Sequence, residues 1–150
     1  MPLRRILIVD DEENIGRSLR MILEREGYQV NAVRTGAEFR AFPDRTRIDL
    51  FLLDMRLPDA NGIELLRELQ AAEMNAPAIM ISGHATIADA VEATRAGAFD
   101  FLEKPLGRDR VMVAVRNALE QGTLRQENRR LKDAAGWKVS AVSTAKVAAC

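Results

Sequence analysis

Leu50-Phe51-Leu52-Leu53-Asp54, followed by Met55-Arg56-Leu57-Pro58-Asp59-Ala60-Asn61-Gly62, is the stretch that decides the fold. A strand with one wet face alternates polar and apolar residues, whereas four consecutive large apolar side chains belong to a strand covered on both sides, as in a parallel sheet. The run ends on a carboxylate and passes into a segment dense in turn formers. In open parallel α/β sheets ligands collect beyond the carboxyl ends of the strands, so an acid delivered there is a candidate site residue.

On either side of this stretch the pattern repeats. Ile6 to Val9 is a second continuous apolar run, and Ile15, Leu19, Ile22 and Leu23 then follow the spacing of an amphipathic helix that Gly27 closes. Tyr28 to Val33 alternates and reads as a strand nearer an edge, with a short helix over Thr35 to Phe42 stopped before Pro43. Beyond Gly62, a helical stripe runs through Ile63, Leu66 and Leu69. A strand follows from Ala78 to Ile81, ending at Ser82-Gly83-His84. Ile87, Ala90, Val91 and Thr94 mark a fourth helix closed by Gly97; Phe99 to Leu102 is a fifth strand, and Val111, Val115, Ala118 and Leu119 supply the buried face of a fifth helix. Five β/α repeats point to a single α/β domain around a parallel sheet.

The 150 residues suit one domain with a short extension. Residues 1–122 form that domain. Residues 123–133 are charged and helix-prone, with Leu124, Asn128 and Leu131 at d, a, d spacing, and read as a linker helix and short coiled coil. Residues 134–150 turn Ala/Ser/Val-rich, carry the only Trp, and read as a flexible linker or tail. The 22 basic side chains balance 22 acidic ones, which argues against direct nucleic-acid binding. Cys150, the single cysteine, can close no internal disulfide. No apolar run approaches the roughly 18 residues of a membrane span, and the apolar start is too short for a signal peptide. A cytoplasmic protein is the expectation.

Reading off the strand ends gathers Asp10 and Asp11 from the first strand, Asp54 from the third, Ser82 from the fourth and Lys104 from the fifth. Two like charges about 4 Å apart repel by roughly 4 kcal/mol at an effective dielectric near 20, so such a group of acids calls for a cation. Hard carboxylate oxygens suit Mg²⁺, and an aspartate in that setting can act as a nucleophile toward phosphorus and carry it as an acyl phosphate. Asp10 and Asp11 would equally suit the N-terminus of the first helix.

The pieces Ile-Leu-Ile-Val-Asp10-Asp11, Leu-Leu-Asp54-Met-Arg-Leu-Pro58-Asp-Ala-Asn-Gly62, Ile-Ser82-Gly83 and Phe101-Leu-Glu-Lys104-Pro105, in this order, resemble a response regulator receiver domain from Leu3 to Leu119, about four-fifths of the chain. The resemblance implies a flavodoxin-like, doubly wound sheet of strand order 2-1-3-4-5 with a C-terminal helical extension. It implies Asp54 as phosphoacceptor for a sensor histidine kinase, and Asp11, Asp54 and the main-chain carbonyl of Arg56 as direct Mg²⁺ ligands, with Asp10 acting through a metal-bound water. It further implies Ser82 and Lys104 as partners of the phosphoryl oxygens, a cis Lys104-Pro105 bond, Phe101 as a switch aromatic, and Arg56 and His84 as positions that tune the phosphate's lifetime. The segment from Ser82 to Phe101 and the string Leu124-Arg-Gln-Glu-Asn-Arg-Arg-Leu131 are similar to nitrogen-regulation-type, sigma-54-dependent activators. Those proteins continue into ATPase and DNA-binding domains, which this chain does not contain, and a homodimer built on the fifth helix is expected. Two other readings stand beside this one. One is an aspartyl-phosphate phosphohydrolase, which would commonly place an acid where Arg56 stands; the other is a degenerate receiver serving only as an interaction module.

Overall fold

The computed structural model describes residues 3–84 and 86–134. Five strands alternate with five helices: β1 (Arg5–Val9), α1 (Glu13–Arg25), β2 (Gln29–Val33), α2 (Gly36–Ala41), β3 (Leu50–Asp54), α3 (Gly62–Ala71), β4 (Ala78–Ser82), α4 (Ile87–Arg95), β5 (Asp100–Glu103) and α5 (Arg108–Ala134). All strand pairs are parallel and the order is β2-β1-β3-β4-β5, the doubly wound sheet that the motifs imply.

Strand periodicity divides the core in two. Ile6, Ile8, Leu50, Leu52, Ile79 and Ile81 point to one face, where they meet Leu19 and Leu23 of α1 and Val111, Val115 and Ala118 of α5. Leu7, Val9, Phe51, Leu53 and Met80 point to the other, against Phe39 of α2, Leu65 and Leu66 of α3 and Ala93 of α4. Both faces of β1, β3 and β4 are thus dry, which is why these strands read as unbroken apolar runs. Phe39 meets Phe51 edge to face at 6.0 Å, and the Arg45 guanidinium lies 5.0 Å above the Phe39 ring. The edge strand β2 buries only Val30 fully, in keeping with its mixed sequence.

The short helix α2 is delimited as its flanks suggest: Thr35 is the N-cap, its hydroxyl accepting a hydrogen bond from Glu38 N–H, and Phe42 is the C-cap. Gly27 and Gly97 stop α1 and α4 with φ of +92° and +100°, values open to glycine at little cost. α4 forms where expected, but the apolar stripe that marks it faces outward. Ile87 is 86% and Val91 44% exposed, and Ala93 is the residue that packs inward. Helical spacing found the helix without saying which side the body covers.

No break separates the fifth helix from its extension: α5 runs through Gly122, where the backbone passes so close to Pro77 that a Cβ would sit 3.0 Å from its Cδ. Arg4 Nη2 donates to Thr123 Oγ1 at 2.6 Å, tying the helix to the start of β1 as it leaves the body. The tail expected over 134–150 lies, from residue 135 on, outside the described residues, as does the Asn128 side chain.

Gly62 locks the loop after β3. Its N–H donates to Met55 O at 2.8 Å, and a Cβ there would overlap the Asp54 carbonyl oxygen and press on Met80 Cε. Gly62→Ala is therefore expected to cost about 1–3 kcal/mol of unfolding free energy, as overpacked sites do, read from the urea midpoint at unchanged slope. A loss inside the few tenths of a kcal/mol typical of neutral surface changes would show that the loop yields freely.

Candidate functional site

The carboxyl ends of β1, β3, β4 and β5 bring Asp10, Asp54, Ser82 and Lys104 to one edge of the sheet. Main-chain hydrogen bonds extend the ladders past the strand ends and fix three of these positions: Asp10 N–H to Val33 O at 3.1 Å, Met55 N–H to Ile81 O at 2.8 Å, and Lys104 N–H to Ser82 O at 2.8 Å. Asp10, Asp54 and Ser82 are the buried polar residues of the described chain, each 2–4% exposed. The Lys104-Pro105 peptide is cis.

Lys104 Nζ is the centre of the arrangement. It lies 2.8 Å from Glu12 Oε1, 3.1 Å from Asp10 Oδ2 and 3.3 Å from Asp54 Oδ2. Burial works against the ammonium, but Glu12, Asp10 and Asp54 outweigh it and hold the Lys104 pKa above its ordinary value. Asp54 moves the other way. Burial, followed by the negative charge of Asp10, pushes its carboxyl up to about 6, although the Arg56 N–H that Asp54 Oδ1 accepts at 3.3 Å and the charge of Lys104 both oppose the rise.

The carboxylates whose oxygens all lie within 4.8 Å of one another are Asp10, Glu12 and Asp54. One ammonium faces three acids, and Asp10 Oδ2, though ion-paired with Lys104, accepts no well-formed hydrogen bond. An uncompensated set of hard oxygen donors of this kind suits a divalent cation such as Mg²⁺. Asp11, expected from sequence as a direct ligand, is not in this group; its carbonyl oxygen accepts from the Arg34 guanidinium at 3.2 Å. Glu12 joins the cluster instead. An acid at the start of a helix has a ready local explanation and carries no site signal by itself, yet Glu12 stands at the N-cap of α1 and its side chain caps nothing. The capping role also considered for Asp10 and Asp11 is met only in part, by Asp10 Oδ1 accepting the Glu12 N–H at 2.9 Å.

The Ser82 hydroxyl oxygen accepts the His84 N–H at 3.2 Å, while His84 itself is exposed. Phe101 is half-buried against the core shared by α2, α3 and α4. Arg56 is exposed, and its backbone forms an antiparallel bridge with Asn61 that closes the loop over Asp54. Asp59 in the same loop accepts from Gly36 N–H at 2.8 Å and Ala37 N–H at 2.9 Å, which hold its carboxyl below the usual range and pin the loop to α2.

Comparison with known proteins agrees with this geometry. The sequence profile of the response regulator receiver domain family matches residues 6–116. The chain is 41% identical over 113 residues to the transcriptional regulatory protein FixJ of Rhizobium meliloti, covering 75% of this chain and 55% of that protein. It is 42% identical over 129 residues to the nitrogen assimilation regulatory protein NtrX of Azorhizobium caulinodans, covering 85% and 28%. The chain thus spans about half, or only about a quarter, of these relatives. Among solved structures, a CheY-like receiver domain protein from Methanospirillum hungatei superposes with a TM-score of 0.77 at 33% identity, over 83% of this chain and 99% of that one. A beryllofluoride-activated NtrC4 receiver domain dimer superposes at 0.74 and 34% identity, over 79% and 98%.

The raised Asp54 carboxyl gives a pH signature. Folding favours its protonated form, so this group's contribution to stability is present below the ordinary value of 3.8 and is lost as pH climbs toward about 6. A divalent cation competes with that proton. If Asp54 shares a divalent ion, the stabilisation that Mg²⁺ gives, read from the melting temperature, is expected to grow between about pH 5 and about pH 7, approaching about 2.7 kcal/mol at a hundredfold excess over its dissociation constant. A pH-independent rise across that interval would show that Asp54 does not share the ion.

Proposed function

The chain belongs to the response regulator receiver domain family, whose members are regulatory domains of two-component systems rather than classical enzymes, and from that premise we propose that Asp54 is its phosphoacceptor. In the reaction envisaged, an Asp54 carboxylate oxygen attacks phosphorus of a phosphohistidine on a sensor kinase, the bond from phosphorus to the imidazole nitrogen breaks, and an acyl phosphate remains. The observation that carries this reading is the buried contact of Lys104 Nζ with Asp54 Oδ2 at 3.3 Å, made across the sheet between β5 and β3. It puts a cation beside the carboxylate that must tolerate a dianionic group.

Each neighbour has a task in this scheme. Lys104 offsets charge on the phosphoryl oxygens, and the Ser82 hydroxyl, presented by the adjacent strand, exchanges its contact with the His84 N–H for one of those oxygens. Asp11, Asp54 and the Arg56 carbonyl would hold Mg²⁺, with Asp10 acting through a metal-bound water, and the ion when bound supplies positive charge to the transferring group. Arg56 and His84, both exposed, would obstruct an attacking water and so lengthen the phosphorylated state.

The proposed readout is the surface of α4, β5 and α5, with Phe101 as the half-buried residue that moves when Ser82 closes on phosphate. Phosphorylation need only bias two nearby conformations; about 5.5 kcal/mol of differential stabilisation would carry a 1:99 mixture to 99:1. Leu124 and Leu131 are seven residues apart on α5 and 55% and 61% exposed, which supports residues 123–133 as a dimer helix leading to output domains of the kind found in NtrC-like relatives. No described helix is long and apolar enough to cross a membrane.

Intact-mass spectrometry after incubation with acetyl phosphate and Mg²⁺ tests the assignment. One phosphoryl group is expected on the wild type and none on Asp54→Asn; equal labelling of both would move the site elsewhere. Truncation after Thr123, which keeps the contact with Arg4, is expected to abolish self-association in sedimentation velocity runs, and an unchanged sedimentation profile would remove the dimer helix.

A further inference from the structure

An ammonium carries three N–H groups, and at Lys104 three carboxylate oxygens already surround it within 3.3 Å. Glu12 Oε1 and Asp54 Oδ2 accept two of those N–H groups and Asp10 Oδ2 lies close on a third side, so an arriving phosphoryl oxygen competes with these carboxylates and gains full access to Lys104 when one of them withdraws. Asp10 and Asp54 cannot readily do so, since their side chains are 0% and 6% exposed and both extend from strand ends; the Glu12 side chain is 59% exposed and comes from the turn before α1. We propose that Glu12 is a positioning residue for the phosphotransfer described above: its carboxylate occupies Lys104 in the resting protein and must swing out before the ammonium can receive the incoming phosphoryl group.

Two features set Glu12 apart from an ordinary solvated acid. Its contact with Lys104, at 2.8 Å, is the shortest of the three although it is the most exposed, and it spans 92 residues of sequence. It also stands at the N-cap of α1, where Ser, Thr, Asp or Asn would normally satisfy a free N–H, and it forgoes that role to reach the ammonium. Glu12 thereby acts as a brake that is costless in the absence of phosphate and is displaced by it. The proposal rests on Asp54 being the phosphoacceptor.

Two variants separate contact from charge. Glu12→Gln keeps the length and removes the charge, while Glu12→Asp keeps the charge and falls one methylene short of Lys104. Both are expected to raise the rate of phosphorylation by acetyl phosphate at saturating Mg²⁺ roughly two- to fivefold, the span of exposed ion pairs. Both are also expected to lower the half-saturating concentration of beryllofluoride, followed by NMR, by a similar factor without any turnover. If the wild type takes up no phosphoryl group, the phosphoacceptor reading falls and this one with it. If the wild type is labelled and both variants match it or react more slowly, the brake alone is overturned. If only Glu12→Gln gains, the effect is repulsion of an anionic donor, and the brake is likewise overturned.

Discussion

One lysine side chain makes the site possible. Asp10 and Asp54 sit side by side, almost wholly buried, an arrangement that desolvation and mutual repulsion both oppose. Lys104, 10% exposed, lies within 3.3 Å of both and supplies the compensating charge. The sheet brings the three together because β1, β3 and β5 are parallel and end at the same edge, although 94 positions separate Asp10 from Lys104 along the chain. The compensation is incomplete: with Glu12 added, acids outnumber the base three to one, a balance that favours a divalent cation or a proton.

The fold was legible because its strongest signals are properties of single segments. Central strands buried on both faces must be continuously apolar, and Ile6 to Val9, Leu50 to Leu53 and Ala78 to Ile81 could be little else. Gly27 and Gly97 mark helix ends by the backbone angles they permit. The outward face of α4 was not legible, since Ile87 and Val91 keep helical spacing whether they meet the core or the solvent. The helix-prone residues after Gly122 point to an extension of α5, and the helix does run on through Gly122. Glycine usually weakens a helix, but here it sits against Pro77, where a Cβ would be crowded, a contact between residues 45 positions apart.

At the site, positions fixed by strand ends can be counted from the sequence, whereas contacts made from turns cannot. Asp54, Ser82 and Lys104 are set by the last ladder positions of their strands, so counting along an apolar run suffices to find them. Asp11 and Glu12 lie one and two residues beyond Asp10, in the turn to α1, where backbone direction changes at each residue. Motif spacing pointed to Asp11; the geometry brings in Glu12 alongside, through a contact that only the position of β5 creates.

How a charge at Asp54 would reach the output surface follows from where the body is weakly held. Lys104 and Ser82 are joined through the backbone, Lys104 N–H to Ser82 O, which couples the ends of β4 and β5. The next element along the chain from Ser82 is α4, which buries a single residue, Ala93, and turns Ile87 and Val91 to solvent. Helices α1 and α5, by contrast, are packed through several large side chains each. Elements with few buried contacts have the lowest local opening free energies. A perturbation applied between β4 and β5 is therefore expressed most cheaply at α4, and the free energy of a new Ser82 contact need shift only that lightly anchored helix while the strands that aim Asp10, Asp54 and Lys104 stay in register.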